Sequence, residues 1–115
     1  MQYMLAIYGE ERATESMPRE RMTEVINAYM AYTQALRDAK VLVASNRLRP
    51  SSAATSLRTV GGETKVLDGP FAETKEQLGG YYLIDVPDLD AALSWAKRCP
   101  AVRYGTVEVR PVWVM

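Results

Sequence analysis

Three segments of the chain have hydrophobic patterns that predict β-strands. Tyr3 to Tyr8 and Tyr81 to Val86 are apolar at consecutive positions, apart from Asp85, so both faces of each strand should be covered. We therefore place these two strands in the middle of a sheet. The segment Thr106 to Val114 includes valines that alternate with charged residues, and Pro111 removes a backbone donor. This strand is expected at an edge of the sheet.

Two segments show the three- and four-residue spacing of amphipathic helices. The longer helix is predicted to begin at Ser16 or Met17 and to end near Asp38 to Lys40. Its apolar face consists of Met22, Val25, Ile26, Tyr29, Met30, Thr33 and Leu36. The shorter helix is predicted to begin at Pro87-Asp88 and to stop at Cys99-Pro100.

The remaining segments predict one further strand, one hairpin and one loop. Residues 41–48 open with an apolar run and are predicted to form a strand. Residues 55–60 and 63–67 flank Gly61-Gly62, a two-residue connection that suits a primed hairpin turn. The polar stretch 10–15 is predicted to be a loop between the first strand and the first helix.

The order of these elements predicts an α+β fold. It matches the ferredoxin-like split βαβ pattern, with the hairpin as an insertion. The chain of 115 residues should form a single domain over 1–115, with both helices on one face of the sheet. The second face of the sheet is also apolar and must be buried. The simplest cover is the identical sheet of a second copy, so we expect a homodimer with a closed, barrel-like core.

The composition excludes several classes of function. Fourteen Lys and Arg balance fourteen Asp and Glu, so the chain lacks the basic surface of a direct nucleic-acid binder. Histidine is absent, which removes imidazole catalysis and histidine-based zinc sites, and neither a metal nor a cofactor is expected. No apolar run predicts a membrane span or a signal peptide. The single cysteine, Cys99, fits a reducing compartment, so we expect a cytoplasmic protein.

The reactive side chains are concentrated in the segment 68–80. It opens with Asp-Gly-Pro, which favours a stiff turn, and it ends with Gly79 and Gly80, which leave room for a backbone or a ligand to approach. Four ionisable groups lie between these ends. They are Asp68, Glu73, Lys75 and Glu76. If residues 72–77 form a helical turn, two of the carboxylates lie at the i, i+3 spacing and can act as a pair.

We expect a pocket beside this segment that binds a small molecule or performs acid-base chemistry on it without a cofactor. The candidate catalytic residues are Asp68, Lys75 and Glu76, with Asp68 as the polar anchor or base. The candidate ligand-binding residues are Gly69, Pro70, Phe71, Glu73, Gly79, Gly80 and Tyr81. The same stretch also has an architectural interpretation, as a rigid turn with Phe71 packed into the core and a solvated polar stretch after it. The residues alone leave both interpretations open.

Side chains outside this segment add further signals. Arg47, Arg49 and Arg110 could clamp a carboxylate, while Arg110 could instead pair across a strand with an acidic neighbour. Seven tyrosines exceed the needs of a small core; most are expected to pack with the hydroxyl reaching polar atoms at the core edge, and one or two to line a pocket for an aromatic or planar molecule. Cys99 lies at a helix C-terminus, where the helix dipole disfavours a thiolate, so we do not expect a nucleophile there.

The motif Asp-Gly-Pro-Phe-Ala-Glu-Thr-Lys-Glu at 68–76, followed by Gly-Gly-Tyr-Tyr at 79–82, resembles the signature of the DGPF family within the YCII-related superfamily. The resemblance extends over nearly the whole chain and implies a dimeric α+β barrel. Proteins similar to this one are often associated with extracytoplasmic-function sigma factors, which implies a non-catalytic regulatory partner as the alternative function. Some relatives have a histidine and an aspartate proposed as an active-site pair. That pair cannot be carried over to a chain without histidine.

Overall fold

The chain forms six strands and three α-helices in a computed structural model that describes all 115 residues. The strands are β1 (Gln2–Gly9), β2 (Leu42–Arg47), β3 (Thr55–Val60), β4 (Glu63–Asp68), β5 (Gln77–Asp85) and β6 (Thr106–Pro111). The helices are α1 (Glu11–Glu15), α2 (Arg19–Asp38) and α3 (Leu89–Arg98), and short 3-10 turns lie at Ser51–Ala53 and Pro100–Arg103. Four strands form an antiparallel sheet in the order β2-β5-β1-β6. The predicted α+β class is therefore confirmed.

The two strands with apolar residues on both faces, β1 and β5, are the central strands of this sheet, as predicted. They pair with Leu5 opposite Tyr82, and the register shifts at an irregularity after Ile7. β6 pairs only with β1 and lies at an edge, where Pro111 is tolerated. The connections through α2 and α3, together with this strand order, form the split βαβ arrangement.

The hydrophobic core lies between the two long helices and one face of the sheet. Its largest fully buried side chains are Leu5, Leu36, Ile84 and Cys99. Tyr32 of α2 contacts the ring of Tyr82 edge-on, with the ring centroids 5.2 Å apart. Its hydroxyl donates a hydrogen bond to the carbonyl oxygen of Trp95 at 2.7 Å. This bond satisfies a buried polar group and connects α2 to α3.

The helices begin and end close to the predicted positions. α2 begins after Pro18 and ends shortly before Lys40, which has a left-handed φ of 60°. α3 is capped by Asp88, whose carboxylate accepts a hydrogen bond from the Ala91 N–H at 2.8 Å. The prediction of a loop at 10–15 was wrong, because Glu11–Glu15 form α1. None of the helices combines the length and the hydropathy needed to cross a bilayer.

β3 and β4 form the predicted hairpin, which is a separate two-stranded sheet. Gly61 and Gly62 have φ values of 59° and 80°, as a primed turn requires. Leu57 and Val66 lie opposite each other across the hairpin, and each is 64% exposed. Two strands alone are only marginally stable in water, so the hairpin is an arm with little packing of its own.

Two strand boundaries differ from the prediction. β5 begins at Gln77 rather than at Tyr81, so Gly79 and Gly80 lie inside a strand and not in the connector before it. β6 ends at Pro111 instead of Val114. Its partner β1 begins at Gln2, so the last pairing bond is the one from the Val112 N–H to the Gln2 carbonyl at 2.9 Å. Beyond that point there is no partner strand.

The face of the sheet opposite the helices is not covered by any element of this chain. Met4 and Leu83 pair directly on this open face and are half-buried. At its β6 edge Arg110 forms an ion pair with Glu108 at 2.8 Å. The Cα trace measures 48 × 44 × 18 Å. The short dimension fits a molecule of only two layers, one of helices and one of strands.

Candidate functional site

A cavity of about 540 Å³ lies between α2 and the helix-covered face of the sheet. The first half of α2, the short helix α1, the ends of β1 and β2, and the start of β5 surround it. Its volume falls within the range of roughly 300–1,000 Å³ that small-molecule sites occupy. The sequence predicted a pocket beside the segment 68–80, and the cavity borders the C-terminal end of that segment at Gln77, Gly79 and Gly80.

The apolar face of α2 divides into two parts. Tyr32 and Leu36, in the second half, are buried in the core. From its N-terminal end as far as Met30, the face lines the cavity with Met22, Val25, Ile26, Tyr29 and Met30. Ile26 is 42% exposed and Met30 is 65% exposed, because this part of the helix is not packed tightly against the sheet. The apolar wall of the cavity is therefore a continuation of the core-facing stripe of α2.

One side of the cavity is closed by hydrogen bonds between α1, the turn after β2 and the start of β5. Ser51 donates to both carboxylate oxygens of Glu11, from its N–H at 2.6 Å and from its hydroxyl at 2.7 Å. The Glu11 N–H donates to Oε1 of Gln77 at 3.0 Å, and Nε2 of Gln77 donates to the Thr74 carbonyl at 2.6 Å. Both carboxylate oxygens of Glu11 are thus already used as acceptors in the hydrogen bonds that close this side of the cavity.

Tyrosine hydroxyls form much of the polar part of the cavity wall. The Tyr104 hydroxyl donates to the Tyr29 hydroxyl at 2.9 Å, and the hydroxyls of Tyr82 and Thr33 share a hydrogen bond of 2.7 Å. Burial raises the pKa of Tyr29, and the hydrogen bond with Tyr104 raises it further. Burial also raises the pKa of Tyr82, although the bond with Thr33 acts in the opposite direction. Both phenols therefore stay protonated and serve as hydrogen-bonding groups rather than as bases.

The three arginines considered as a carboxylate clamp have different positions. Arg47 ends β2 and Arg49 follows two residues later, and both line the cavity. Arg110 lies outside it and pairs with Glu108 of its own strand. Arg110 therefore pairs with an acidic neighbour as expected, but with one in its own strand and not with one across the sheet.

Three of the predicted ligand-binding residues line the cavity, namely Gly79, Gly80 and Tyr81. Gly80 is buried, and a Cβ atom at this position would lie 2.7 Å from the carbonyl oxygen of Asn46. This glycine therefore permits the close approach of β2 to β5. The Tyr81 hydroxyl accepts a hydrogen bond from Nδ2 of Asn46 at 2.9 Å, across the same pair of strands.

The other predicted site residues lie outside the cavity. They are Asp68, Gly69, Pro70, Phe71, Glu73, Lys75 and Glu76. Gly69, with a φ of 97°, donates its N–H to the Ala54 carbonyl at 2.6 Å and so closes the base of the hairpin. Phe71 is 74% exposed, and the Arg58 guanidinium lies 5.4 Å from its ring centroid. The interpretation of Phe71 as a side chain packed into the core was therefore wrong.

The ionisable groups of the segment 68–80 make separate contacts in the single chain. The Lys75 ammonium lies 3.8 Å from a carboxylate oxygen of Glu10, on the surface. Oε1 of Glu76 accepts a hydrogen bond from the Thr106 hydroxyl at 2.8 Å. Residues 72–77 do not form a helical turn, so the carboxylate pair that depends on such a turn is absent.

Sequence reasoning missed the residues that close and line the cavity, above all Glu11, Ser51 and Gln77. Glu11 lies in a charged stretch that predicts a loop, and no local pattern connects it to a serine 40 residues later. The surplus of tyrosines was a useful signal, although only one or two of them were expected to line a pocket. Five of the seven line the cavity, namely Tyr8, Tyr29, Tyr81, Tyr82 and Tyr104.

Comparison with known proteins identifies the YCII-related family over the full length of the chain. A family model described as the YCII-related domain matches residues 1–115. An uncharacterised protein of Rhizobium meliloti (strain 1021) is 41% identical over 114 residues, which cover 97% of this chain and 92% of that protein. The similarity therefore extends through the motif, the cavity and both long helices.

Proposed function

The chain belongs to the YCII-related domain family, and we propose that it binds a small organic molecule in the cavity between α2 and the sheet. The observation that carries this proposal is the cavity itself, with its volume of about 540 Å³, its apolar wall from α2 and the polar side chains that line the rest of it. A mainly apolar cleft with a small number of oriented polar side chains is the usual form of a ligand site.

The side chains around the cavity support binding better than acid-base chemistry. The Glu11 carboxylate is engaged by Ser51, and the phenols of Tyr29 and Tyr82 have raised pKa values that keep them protonated. A general base must be free to accept a proton from the substrate. Glu15, exposed on α1, is the remaining carboxylate of the lining.

Catalysis by Asp68, Lys75 and Glu76 stays a prediction that can be tested separately. These side chains lie outside the cavity, so Asp68→Asn and Lys75→Ala should leave ligand affinity unchanged if the cavity alone binds the ligand. A loss of affinity or of turnover in either variant would instead support a chemical role of the motif.

A neutral aromatic dye tests the cavity directly. N-phenyl-1-naphthylamine becomes fluorescent in apolar surroundings, and its affinity is measured by titration. Val25→Trp places a large ring in the cavity and should abolish binding, whereas Val66→Trp makes the same change on the exposed hairpin and should leave it intact. Equal binding by the wild type and Val25→Trp would show that the dye lies elsewhere and would refute the proposal.

We also propose that the functional unit is a cytoplasmic homodimer, in which the open faces of two sheets meet to close an α+β barrel. Its support is the open face itself, where Met4 and Leu83 pair at the centre. The charges of Glu108 and Arg110 compensate each other at the edge of that face, so burying them leaves no unpaired ion. The buried free thiol of Cys99 is compatible with a reducing compartment.

An exposed apolar surface on the hairpin favours a second candidate function, that of a regulatory partner of an extracytoplasmic-function sigma factor. Leu57 and Val66 pair across the hairpin and are each 64% exposed, and Phe71, in the turn after the hairpin, is 74% exposed. Co-elution of the purified protein with a purified sigma factor from the same genome tests this candidate. Loss of the complex in Leu57→Lys with Val66→Lys would support it, and failure to co-elute would contradict it.

A further inference from the structure

The cavity combines a long apolar wall with two guanidinium groups on one rim. Arg47 ends β2, and the pairing of β2 with β5 continues one residue further, because the Leu48 N–H donates to the Gly79 carbonyl at 2.9 Å. Residues two apart on an extended chain project to the same side. Arg47 and Arg49 therefore share one side of this segment, and both line the cavity.

Neither guanidinium has a carboxylate partner in the chain. The ion pairs of the protein join other residues, and the two arginines make no side-chain hydrogen bond. Two acidic side chains also line the cavity, but Glu11 is occupied by both donors of Ser51, and Glu15 forms no ion pair with either arginine. The rim thus offers free N–H donors in the planar geometry that suits a carboxylate or a sulfonate.

The remainder of the cavity suits an uncharged, partly aromatic body. Met22, Ile26 and Met30 supply a flexible apolar wall on one side. The hydroxyls of Tyr29 and Tyr82 lie on the same cavity, where each can hydrogen-bond to a polar atom on the ligand or contact its rings.

We propose that the cavity selects an amphipathic organic anion, whose carboxylate or similar acidic group binds Arg47 and Arg49 and whose apolar or aromatic body lies along α2. This inference rests on the proposed binding function and adds the chemical class of the ligand. The anionic group stays at the exposed rim, where it keeps part of its hydration, while the body is removed from water.

Two dyes that differ by one acidic group test this assignment. The probes are 8-anilinonaphthalene-1-sulfonate and the neutral N-phenyl-1-naphthylamine, which has the same ring system without the sulfonate. The double variant Arg47→Met, Arg49→Met should weaken binding of the sulfonate by about tenfold or more, since hydrogen bonds between charged groups are lost. The same variant should change the affinity for the neutral dye by no more than about twofold. Both arginines are exposed, so the variant is expected to fold.

Arg58→Met is the matched control, because Arg58 lies on the hairpin outside the cavity, and it should leave both affinities unchanged. If the double variant loses affinity for both dyes equally, the arginines contribute only to the shape of the cavity and do not recognise the anion. That result would overturn the inference. Unchanged sulfonate binding would overturn it as well. A failure of the proposed binding function is distinguishable from these results. In that case Val25→Trp leaves the affinity for both dyes unchanged.

Discussion

Gly79 and Gly80 are neighbours in β5, but the space around their Cα atoms differs. A Cβ atom on Gly80 would lie 2.7 Å from the Asn46 carbonyl oxygen, whereas one on Gly79 would have its nearest contact, the Ile7 carbonyl oxygen, at 3.9 Å. Gly80→Ala therefore requires β2 to move away from β5. We expect it to lower the free energy of unfolding by about 1–3 kcal/mol, as overpacking typically does. Urea unfolding followed by tryptophan fluorescence measures this loss.

Gly79→Ala is the matched control for that change. Its new methyl group meets only an ordinary van der Waals contact, so the free energy of unfolding should stay within about 0.5 kcal/mol of the wild type. Equal losses in the two variants would mean that the backbone entropy of glycine, rather than the contact between β2 and β5, sets the stability of this part of the sheet.

The raised pKa of Tyr29 predicts that the folded protein loses stability at alkaline pH. Burial and the hydrogen bond with Tyr104 raise the pKa of its phenol in the folded state. The stabilisation is present below the unfolded-state pKa of about 10 and is lost as the pH rises above it, because only the unfolded phenol then ionises readily. We expect the urea midpoint of the wild type to fall above pH of about 10 and to fall less steeply in Tyr29→Phe.

The slope of this pH dependence is the measurement that matters, not the stability at one pH. At neutral pH, Tyr29→Phe also removes the acceptor of the Tyr104 hydroxyl, at a cost of about 0.5–1.5 kcal/mol. That loss is constant until the phenols titrate. Parallel curves for the wild type and the variant between neutral and alkaline pH would contradict the assignment, since the raised pKa of Tyr29 would then make no difference to folding.

Secondary-structure elements were predictable wherever the signal is local. The hairpin has Gly61-Gly62 with the φ values of a primed turn, and α2 has an apolar repeat long enough to define a helix. α1 was missed because five residues are too few to show a periodicity or to be stable alone. Its position depends on the bonds from Glu11 to Ser51 and Gln77, which the local sequence does not reveal.

The hairpin is the element most separable from the rest of the chain. Its base is already closed by the bond from the Gly69 N–H to the Ala54 carbonyl, and no residue of 55–68 lines the cavity. Deleting 55–68 and joining Ala54 to Gly69 should preserve the main sheet and the affinity of the cavity for N-phenyl-1-naphthylamine. Circular dichroism and dye titration check both expectations. Loss of dye binding in a folded deletion variant would show that the hairpin supports the cavity from a distance.

At the scale of the whole molecule, the candidate site could be predicted only in part. The segment 68–80 has the most distinctive sequence, yet its turn lies at the surface and only its last residues reach the cavity. The cavity is built by contacts between distant residues, such as Tyr29 with Tyr104, which are 75 positions apart. A charged, glycine-rich stretch is as typical of a surface turn as of a functional site. A cavity results from the way elements pack together and has no pattern of its own.

The open face of the sheet leads to a prediction about assembly. In a two-fold dimer each substitution at the interface is present twice, so Leu83→Glu removes two buried leucines and introduces two carboxylates. At about 1.5–3 kcal/mol for each leucine, the dissociation constant of the dimer should rise by roughly 100-fold or more. Sedimentation equilibrium at micromolar concentration should give twice the chain mass of 12.9 kDa for the wild type and 12.9 kDa for the variant.

Leu89→Glu separates this effect from a general loss of stability. Leu89 is the first residue of α3, is 47% exposed and lies in the helical layer, and a carboxylate there is favoured by the helix dipole. This variant should remain a dimer. If both variants dissociate, the helical layer takes part in assembly. A wild-type protein that is monomeric at micromolar concentration would instead mean that the half-buried pair of Met4 and Leu83 is covered well enough by its own chain, and the dimeric barrel would have to be abandoned.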